Sequence, residues 1–159
     1  MASYEQYLNN TLYYLSFRGR SEKEIRDYLQ KKNASAEIIE KIISKLKQQK
    51  FLNDEQFAKD WAHSRTTYRL KSKRIIKMEL RNKGIDPEII EKTINQKGDE
   101  EISDSQQIKK LLEKRFYRYK GLPRDKLYQK MGGFLARRGF DWSIIKKSID
   151  DVLKSEYNK

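Results

Sequence analysis

Basic side chains are the residues best suited to binding a partner, and they are concentrated in two stretches of the sequence. Residues 65–83 hold eight Lys or Arg against one Glu, and residues 109–138 hold eleven against two acidic residues. Their cationic groups bind phosphates and carboxylates. The tyrosines among them, as in RFYRYK at 115–120, can stack on bases or anchor a protein interface. Because the net charge is +13, we expect a polyanionic partner, either nucleic acid or an acidic protein surface.

These two stretches, together with two arginines near the N-terminus, predict a basic face that contacts the partner. Arginine is favoured over lysine because its planar fork can form two bonds to one phosphate or carboxylate. The alternative is that the charges only keep long helices solvated and the protein soluble. The predicted contact residues are Arg18, Arg20, Arg65, Arg69, Lys71, Lys73, Arg74, Arg115, Arg118, Tyr119, Lys120, Arg124, Arg137 and Arg138.

No set of residues in the sequence is suited to catalysis. The single histidine, His63, would not face Ser64 on a helix, so we expect it at the surface. The lack of cysteine excludes disulfides, thiolate metal sites and a cysteine nucleophile. Gly132 and Gly133 lack the context of a phosphate loop and indicate close packing or a weak helix. We predict no enzyme activity, no cofactor and no metal site.

The sequence shows no targeting or membrane segment. Residues 1–10 lack the basic and apolar regions of a signal peptide. No apolar run approaches the ~20 residues that a transmembrane helix needs. Together with the absence of cysteine, this predicts a soluble, cytoplasmic protein that does not bind membranes.

Apolar residues recur at helical spacing along the chain, as in the stripe Ile38, Ile39, Ile42, Ile43 and Leu46. The chain has only seven Gly, two Pro and one Val, so tight turns and strands have little support. We therefore predict an all-α protein that is more than two-thirds helical and contains no sheet.

Several helix starts are marked by residues that cap free backbone N–H groups. Ser21 and Glu24 have the spacing of a capping box. Asn53, Asp86 and Asp141 are further candidates, and a proline directly follows Asp86. These residues predict helices that begin just after each of them.

An internal repeat organises the helices. A shift of 51 positions aligns residues 37–42 with 88–93, and a shift of 55 aligns Gly84 with Gly139. Asn33, Gly84 and Gly139 then occupy the same place between two helices, where a left-handed C-terminal cap fits. The pattern predicts three copies of one helical unit.

Each copy is preceded by one more helix, at about 4–17, 54–68 and 104–119, so the repeat contains three helices. A single unit of about 50 residues is small for independent stability, and stacking on its neighbours would complete its core. The predicted repeats are residues 1–50, 51–97 and 98–159, with a polar, acidic linker at 97–104.

Four stretches of the sequence resemble the RecX family, the regulators of the RecA recombinase. They are LSFRGRSEKEIRDYLQKK (15–32), FLNDEQFAKDWAHSR (51–65), KSKRIIKMELRNKGID (71–86) and FLARRGFDWSIIKKSID (134–150). The third contains the family's recognisable basic helix ending in E-L-R-x-K-G. The ordered set carries the likeness, because no one of these motifs is specific by itself.

The resemblance implies three tandem three-helix repeats in an elongated, curved module. It also implies a monomer that binds in the groove of RecA–DNA filaments and modulates RecA's ATPase, recombinase and coprotease activities in DNA repair and the SOS response, without being an enzyme. Family members often carry extra N-terminal residues that this sequence is expected to lack. Two alternatives stay open, a helical-repeat protein that binds nucleic acid directly and an unrelated helical scaffold.

Overall fold

The computed structural model describes residues 2–96 and 103–157. Within them the chain forms nine α-helices and one 3₁₀ turn, with no strand, so the all-α prediction is confirmed. None of the described helices is both long and apolar enough to cross a bilayer. The helices are α1 (Tyr4–Ser16), α2 (Glu22–Lys31), α3 (Ala36–Gln48), α4 (Asp54–Thr67), α5 (Lys73–Asn82), α6 (Pro87–Ile94), α7 (Asp104–Arg115), α8 (Arg124–Arg137) and α9 (Trp142–Tyr157), and the 3₁₀ turn spans Phe116–Tyr119.

Polar side chains cap the N-termini of helices at the expected positions. Ser21 and Glu24 form a reciprocal capping box at the start of α2. Asn53, Asp86 and Asp141 each accept a hydrogen bond of 2.8–3.0 Å from a backbone N–H two or three residues further on. Because the first N–H groups of a helix have no partner within it, these bonds stabilise the helix starts. The predicted caps are confirmed.

The turns between the second and third helices of the repeats share a left-handed backbone. Their φ angles are 60°, 72° and 88° at Asn33, Gly84 and Gly139. Glycine adopts this conformation freely and asparagine tolerates it, so the predicted C-terminal caps are confirmed. Close packing also restricts Gly139, because a Cβ atom there would lie 2.7 Å from the hydroxyl oxygen of Ser72.

The chain packs as two compact units. The first comprises Met1–Trp61 and Glu79–Thr93, and the second comprises Ala62–Met78 and Ile94–Lys159. The division between them runs through α4 and α5. The boundaries of the three repeats and the outline of the module stay predictions. Most of the linker expected at 97–104 lies outside the described residues.

Each unit has an apolar core, which is built from the apolar residues that recur at helical spacing. Burying one Leu or Ile side chain contributes roughly 1.5–3 kcal/mol to folding. Buried residues of the first core include Ile25, Leu29, Ile42 and Leu46. Those of the second include Ile108, Leu112, Met131 and Leu135.

An equivalent hydrogen bond occurs in both units, between α2 and α4 in the first and between α5 and α7 in the second. In the first unit the backbone N–H of Glu22 donates to Asp54 Oδ1 over 2.9 Å. In the second, the N–H of Lys73 donates to Asp104 Oδ1 over 2.9 Å. We call these regions joints. The first joint comprises residues 18–24, 54–61 and 79–84, and the second comprises residues 68–75, 104–115 and 134–139.

Candidate functional site

At the first joint, the basic side chains share a carboxylate within the fold. The Glu24 carboxylate accepts hydrogen bonds from Arg18 Nη2 over 2.6 Å and from Lys83 Nζ over 2.7 Å. Burial acts to raise the pKa of Glu24, but these two bonds and a third from the Ser21 backbone lower it to about 2. The carboxylate therefore stays ionised and paired at neutral pH.

Other polar groups of the first joint also have partners. The indole N–H of Trp61 donates to the Glu79 carboxylate over 2.9 Å. The guanidinium carbon of Arg20 lies 3.9 Å from the centre of the Tyr14 ring, in cation–π contact. Arg20 and Arg18, both predicted contact residues, are thus engaged within the first unit.

The second joint, by contrast, holds a pocket lined by cations, with a volume of about 550 Å³. None of its lining residues is acidic. None of its six basic residues forms an ion pair with any residue in 2–96 or 103–157. Tyr68 also lines the pocket and is 78% exposed. The six residues, which define the cationic pocket, are Arg69, Lys71, Lys114, Arg115, Arg137 and Arg138.

Two guanidinium groups of the cationic pocket are held against one aromatic ring. The guanidinium carbons of Arg115 and Arg138 lie 3.9 Å and 4.9 Å from the centre of the Phe134 ring. Arg138 Nη1 also donates to the backbone carbonyl of Arg69 over 2.6 Å. Burial, together with the charge of Arg115, lowers the pKa of the Arg138 guanidinium. The two like charges are thus fixed near each other with no described carboxylate between them.

This arrangement suits the binding of an anion. Guanidinium groups held in place by ring stacking and hydrogen bonds can donate to phosphate or carboxylate oxygens with little loss of side-chain freedom. No cluster of three or more His, Asp or Glu that could hold a metal ion occurs among the described side chains.

Comparison with known protein families accounts for most of the chain. Models of the first, second and third three-helix domains of RecX match residues 8–46, 53–94 and 103–149. This chain belongs to the RecX family. The resemblance noted in the sequence is thereby confirmed.

Relatives named regulatory protein RecX come from several bacteria. The Oceanobacillus iheyensis protein is 35% identical over 146 residues, which are 92% of this chain and 53% of the relative. The Bacillus subtilis protein is 32% identical over 144 residues, or 91% of this chain and 54% of the relative. The chain thus spans about half the length of these RecX relatives.

Solved RecX structures share the fold. A crystal structure of RecX from Lactobacillus salivarius superposes with a TM-score of 0.77 at 28% identity, covering 93% of this chain and 95% of that one. A second RecX crystal structure gives a TM-score of 0.72 at 28% identity, covering 92% of this chain and 71% of that one.

The cationic pocket of this RecX-family chain contains five of the contact residues predicted from sequence, Arg69, Lys71, Arg115, Arg137 and Arg138. Other predicted residues support the second joint through backbone contacts. Arg74 Nε donates to the carbonyl of Gly139 over 3.3 Å, and Lys73 uses its backbone N–H. The half-buried Arg65 accepts through its carbonyl from the Lys71 N–H over 3.0 Å.

The remaining predicted residues lie in the second unit but do not line the cationic pocket. Arg124 forms an ion pair with Asp150 over 3.1 Å. Arg118 and Lys120 are exposed. Tyr119 is half-buried against the second core, because α7 ends before it and the 3₁₀ turn follows. The helix predicted at about 104–119 is therefore α-helical only as far as Arg115.

Three features of the site were missed by reasoning from sequence. Lys114 lies within the basic stretch 109–138, and this position was the signal that could have placed it among the predicted contact residues. Tyr68 lies within the other basic stretch, 65–83, and its place there was likewise the available signal. Nothing in the local sequence indicated that two arginines would meet on Phe134. The prediction of an exposed His63 is confirmed.

Proposed function

We propose that this chain is a non-enzymatic regulator that binds RecA–DNA filaments and restrains RecA's ATPase, recombinase and coprotease activities. Membership of the RecX family supports the regulatory role. The observation that carries the binding proposal is the cationic pocket, whose six basic residues have no acidic neighbour in its lining. A RecA–DNA filament is polyanionic, and a concentrated positive surface both attracts and orients such a partner.

The proposed mechanism is occupancy. A protein that lies on the filament blocks only the stretch that it covers, so the inhibition of RecA should scale with the amount bound. In this proposal the chain acts as a monomer in the cytoplasm and needs no cofactor. Its net charge of +13 makes the association sensitive to salt.

The test is RecA's DNA-dependent ATPase, measured while this protein is titrated at two salt concentrations. We expect inhibition that saturates at a stoichiometric ratio of the protein to filament-bound RecA and weakens at the higher salt. An unchanged ATPase would contradict the proposal. Saturation at one protein per thousands of RecA molecules would replace occupancy with an enzymatic or severing mechanism.

A second candidate function is direct binding of nucleic acid in the absence of RecA. The 78% exposed Tyr68 at the cationic pocket favours it, since an aromatic ring beside basic groups can stack on a base. Binding to naked single strands and to RecA-coated strands separates the two functions. Preference for the coated strands supports a filament regulator, and equal affinity supports a general nucleic-acid binder.

A further inference from the structure

The two joints are built on the same plan. The first backbone N–H of α2 donates to Asp54 at the start of α4, and the first backbone N–H of α5 donates to Asp104 at the start of α7, over 2.9 Å in both cases. In each joint the turn glycine also packs closely against the start of the partner helix. A Cβ atom on Gly84 would lie 2.6 Å from the side chain of Lys23, and one on Gly139 would lie 2.7 Å from Ser72 Oγ.

Two basic positions of the first joint are also basic at the equivalent positions of the second. The shift of 51 that aligns the second helices places Arg69 where the first joint has Arg18. The shift of 55 that aligns the following turn places Arg138 where the first joint has Lys83. Both cations that bond Glu24 in the first joint therefore have counterparts in the second.

The carboxylates are not retained. The same two shifts place Ile75 where the first joint has Glu24, and Phe134 where it has Glu79. The carboxylate that joins Arg18 to Lys83 in the first joint thus has an apolar counterpart in the second. Between the equivalent cations lies the cationic pocket rather than an ion pair.

Like charges held close together repel, and an anion between them removes the repulsion. In the first joint that anion is the Glu24 carboxylate, within bonding distance of both cations. We infer that a phosphate group of a single nucleic-acid strand occupies the cationic pocket, in the position that the Glu24 carboxylate takes in the first joint.

The number of cations favours a nucleic-acid strand over an acidic side chain of a protein. One carboxylate can be satisfied by two or three donors, whereas six basic residues line this pocket. Consecutive phosphates of a strand bring the additional charge that so many cations match.

Tyr68 favours a single strand over a duplex. Its ring is 78% exposed at the pocket lining, where an unpaired base could stack on it. The bases of a duplex are already stacked on one another. The inference rests on the proposed function in one respect, since it names DNA as the part of the filament that this pocket holds.

The test measures the binding of a fluorescently labelled oligothymidylate to the full chain by anisotropy, without RecA, over a series of salt concentrations. The test variant is Lys114→Gln with Arg137→Gln, two exposed residues of the cationic pocket. The control is Lys109→Gln with Lys110→Gln, which removes the same charge from exposed positions on α7 outside the pocket. We expect at least tenfold weaker binding for the test variant, with its salt slope reduced by about 1.4. Equal losses in the two variants would overturn the inference, because net charge alone would then explain binding.

A second variant returns the missing carboxylate. Ile75→Glu places an acidic group at the position equivalent to Glu24, where it should pair with the pocket arginines and exclude the phosphate. We expect at least tenfold weaker oligonucleotide binding, with helicity by circular dichroism unchanged. If the variant loses helicity, the Lys114–Arg137 pair decides the question. Wild-type affinity in a folded Ile75→Glu variant would overturn the inference.

The stacking partner is tested separately. Tyr68→Ala should weaken binding of the single strand roughly five- to 150-fold, and Tyr117→Ala, which alters a 66% exposed tyrosine outside the pocket, should not. An unaffected Tyr68→Ala variant would overturn the assignment to a single strand, as would pocket-dependent binding of polyglutamate in preference to the oligonucleotide. Oligonucleotide binding through the pocket with no effect on RecA's ATPase would contradict the proposed function and support the pocket assignment.

Discussion

The hydroxyl of Ser21 donates a 2.7 Å hydrogen bond to the carbonyl oxygen of Lys83, 62 positions further along the chain. The same hydroxyl oxygen accepts the N–H of Glu24, so one buried side chain both caps α2 and satisfies the end of α5. The residue that caps the start of α2 therefore also bonds the chain just after α5.

Replacing Ser21 with Ala should destabilise the first unit more than the loss of an ordinary cap. Losing the cap costs roughly 0.5–2 kcal/mol, and leaving the Lys83 carbonyl without its partner adds about 1–3 kcal/mol. Ser35→Ala is the matched control, because Ser35 caps α3 from an exposed position. Urea unfolding followed by circular dichroism measures both variants. Equal effects would mean that the Lys83 bond contributes little.

The stability of the first unit should fall in acid through Glu24. The pKa of this carboxyl is about 2 in the folded protein, against an ordinary value of 4.5. A lowered folded pKa gives stability that is present above about pH 4.5 and is lost as the pH falls toward 2, by on the order of 3 kcal/mol at most. Urea unfolding at several pH values in this window, for the wild type and Glu24→Gln, checks this. The variant should be less stable at pH 7 and vary less with pH, and parallel curves would contradict the assignment.

Alanine substitutions at Gly139 and Gly121 distinguish the free-energy cost of a left-handed backbone from the cost of close packing. Their φ angles are 88° and 89°, but a Cβ atom on Gly139 would meet Ser72 and Ile75, whereas one on Gly121 has open space. We expect Gly121→Ala to cost about 1–2 kcal/mol and Gly139→Ala to cost a further 1–3 kcal/mol. Thermal or urea unfolding of the second unit measures the difference. Similar costs would show that the second joint adapts to the added methyl group.

Two pairs of cations predicted from the sequence distinguish the cationic pocket from the general basic surface. Arg115→Gln with Arg138→Gln removes the pair on Phe134, and Arg118→Gln with Lys120→Gln removes the same charge outside the cationic pocket. The first variant should bind RecA–DNA filaments at least tenfold more weakly than the second, because the first removes the two guanidinium groups that are held on Phe134 in the cationic pocket. Co-sedimentation with filaments measures the affinities. A larger loss for the second pair would place the main contact outside the cationic pocket.

The sequence by itself determined the features that depend on neighbours a few residues apart. Capping residues such as Ser21 and Asn53 act on N–H groups two or three positions away, so their spacing was sufficient to predict the helix starts. The left-handed turns at Gly84 and Gly139 follow from the freedom of glycine at positive φ. The repeat followed too, because the same caps and stripes recur at nearly constant intervals.

The tertiary structure alone decided which cations are paired. Arg18 and Arg138 were both predicted contact residues, but Arg18 bonds Glu24 whereas Arg138 lies on Phe134 with Arg115. These outcomes depend on residues far apart in sequence that meet only when helices pack, as Lys83 meets Glu24 across 59 positions. Charge along a chain gives the number of cations, but a cation's energy depends on the distance to its counter-charge, and only the packed structure defines that distance.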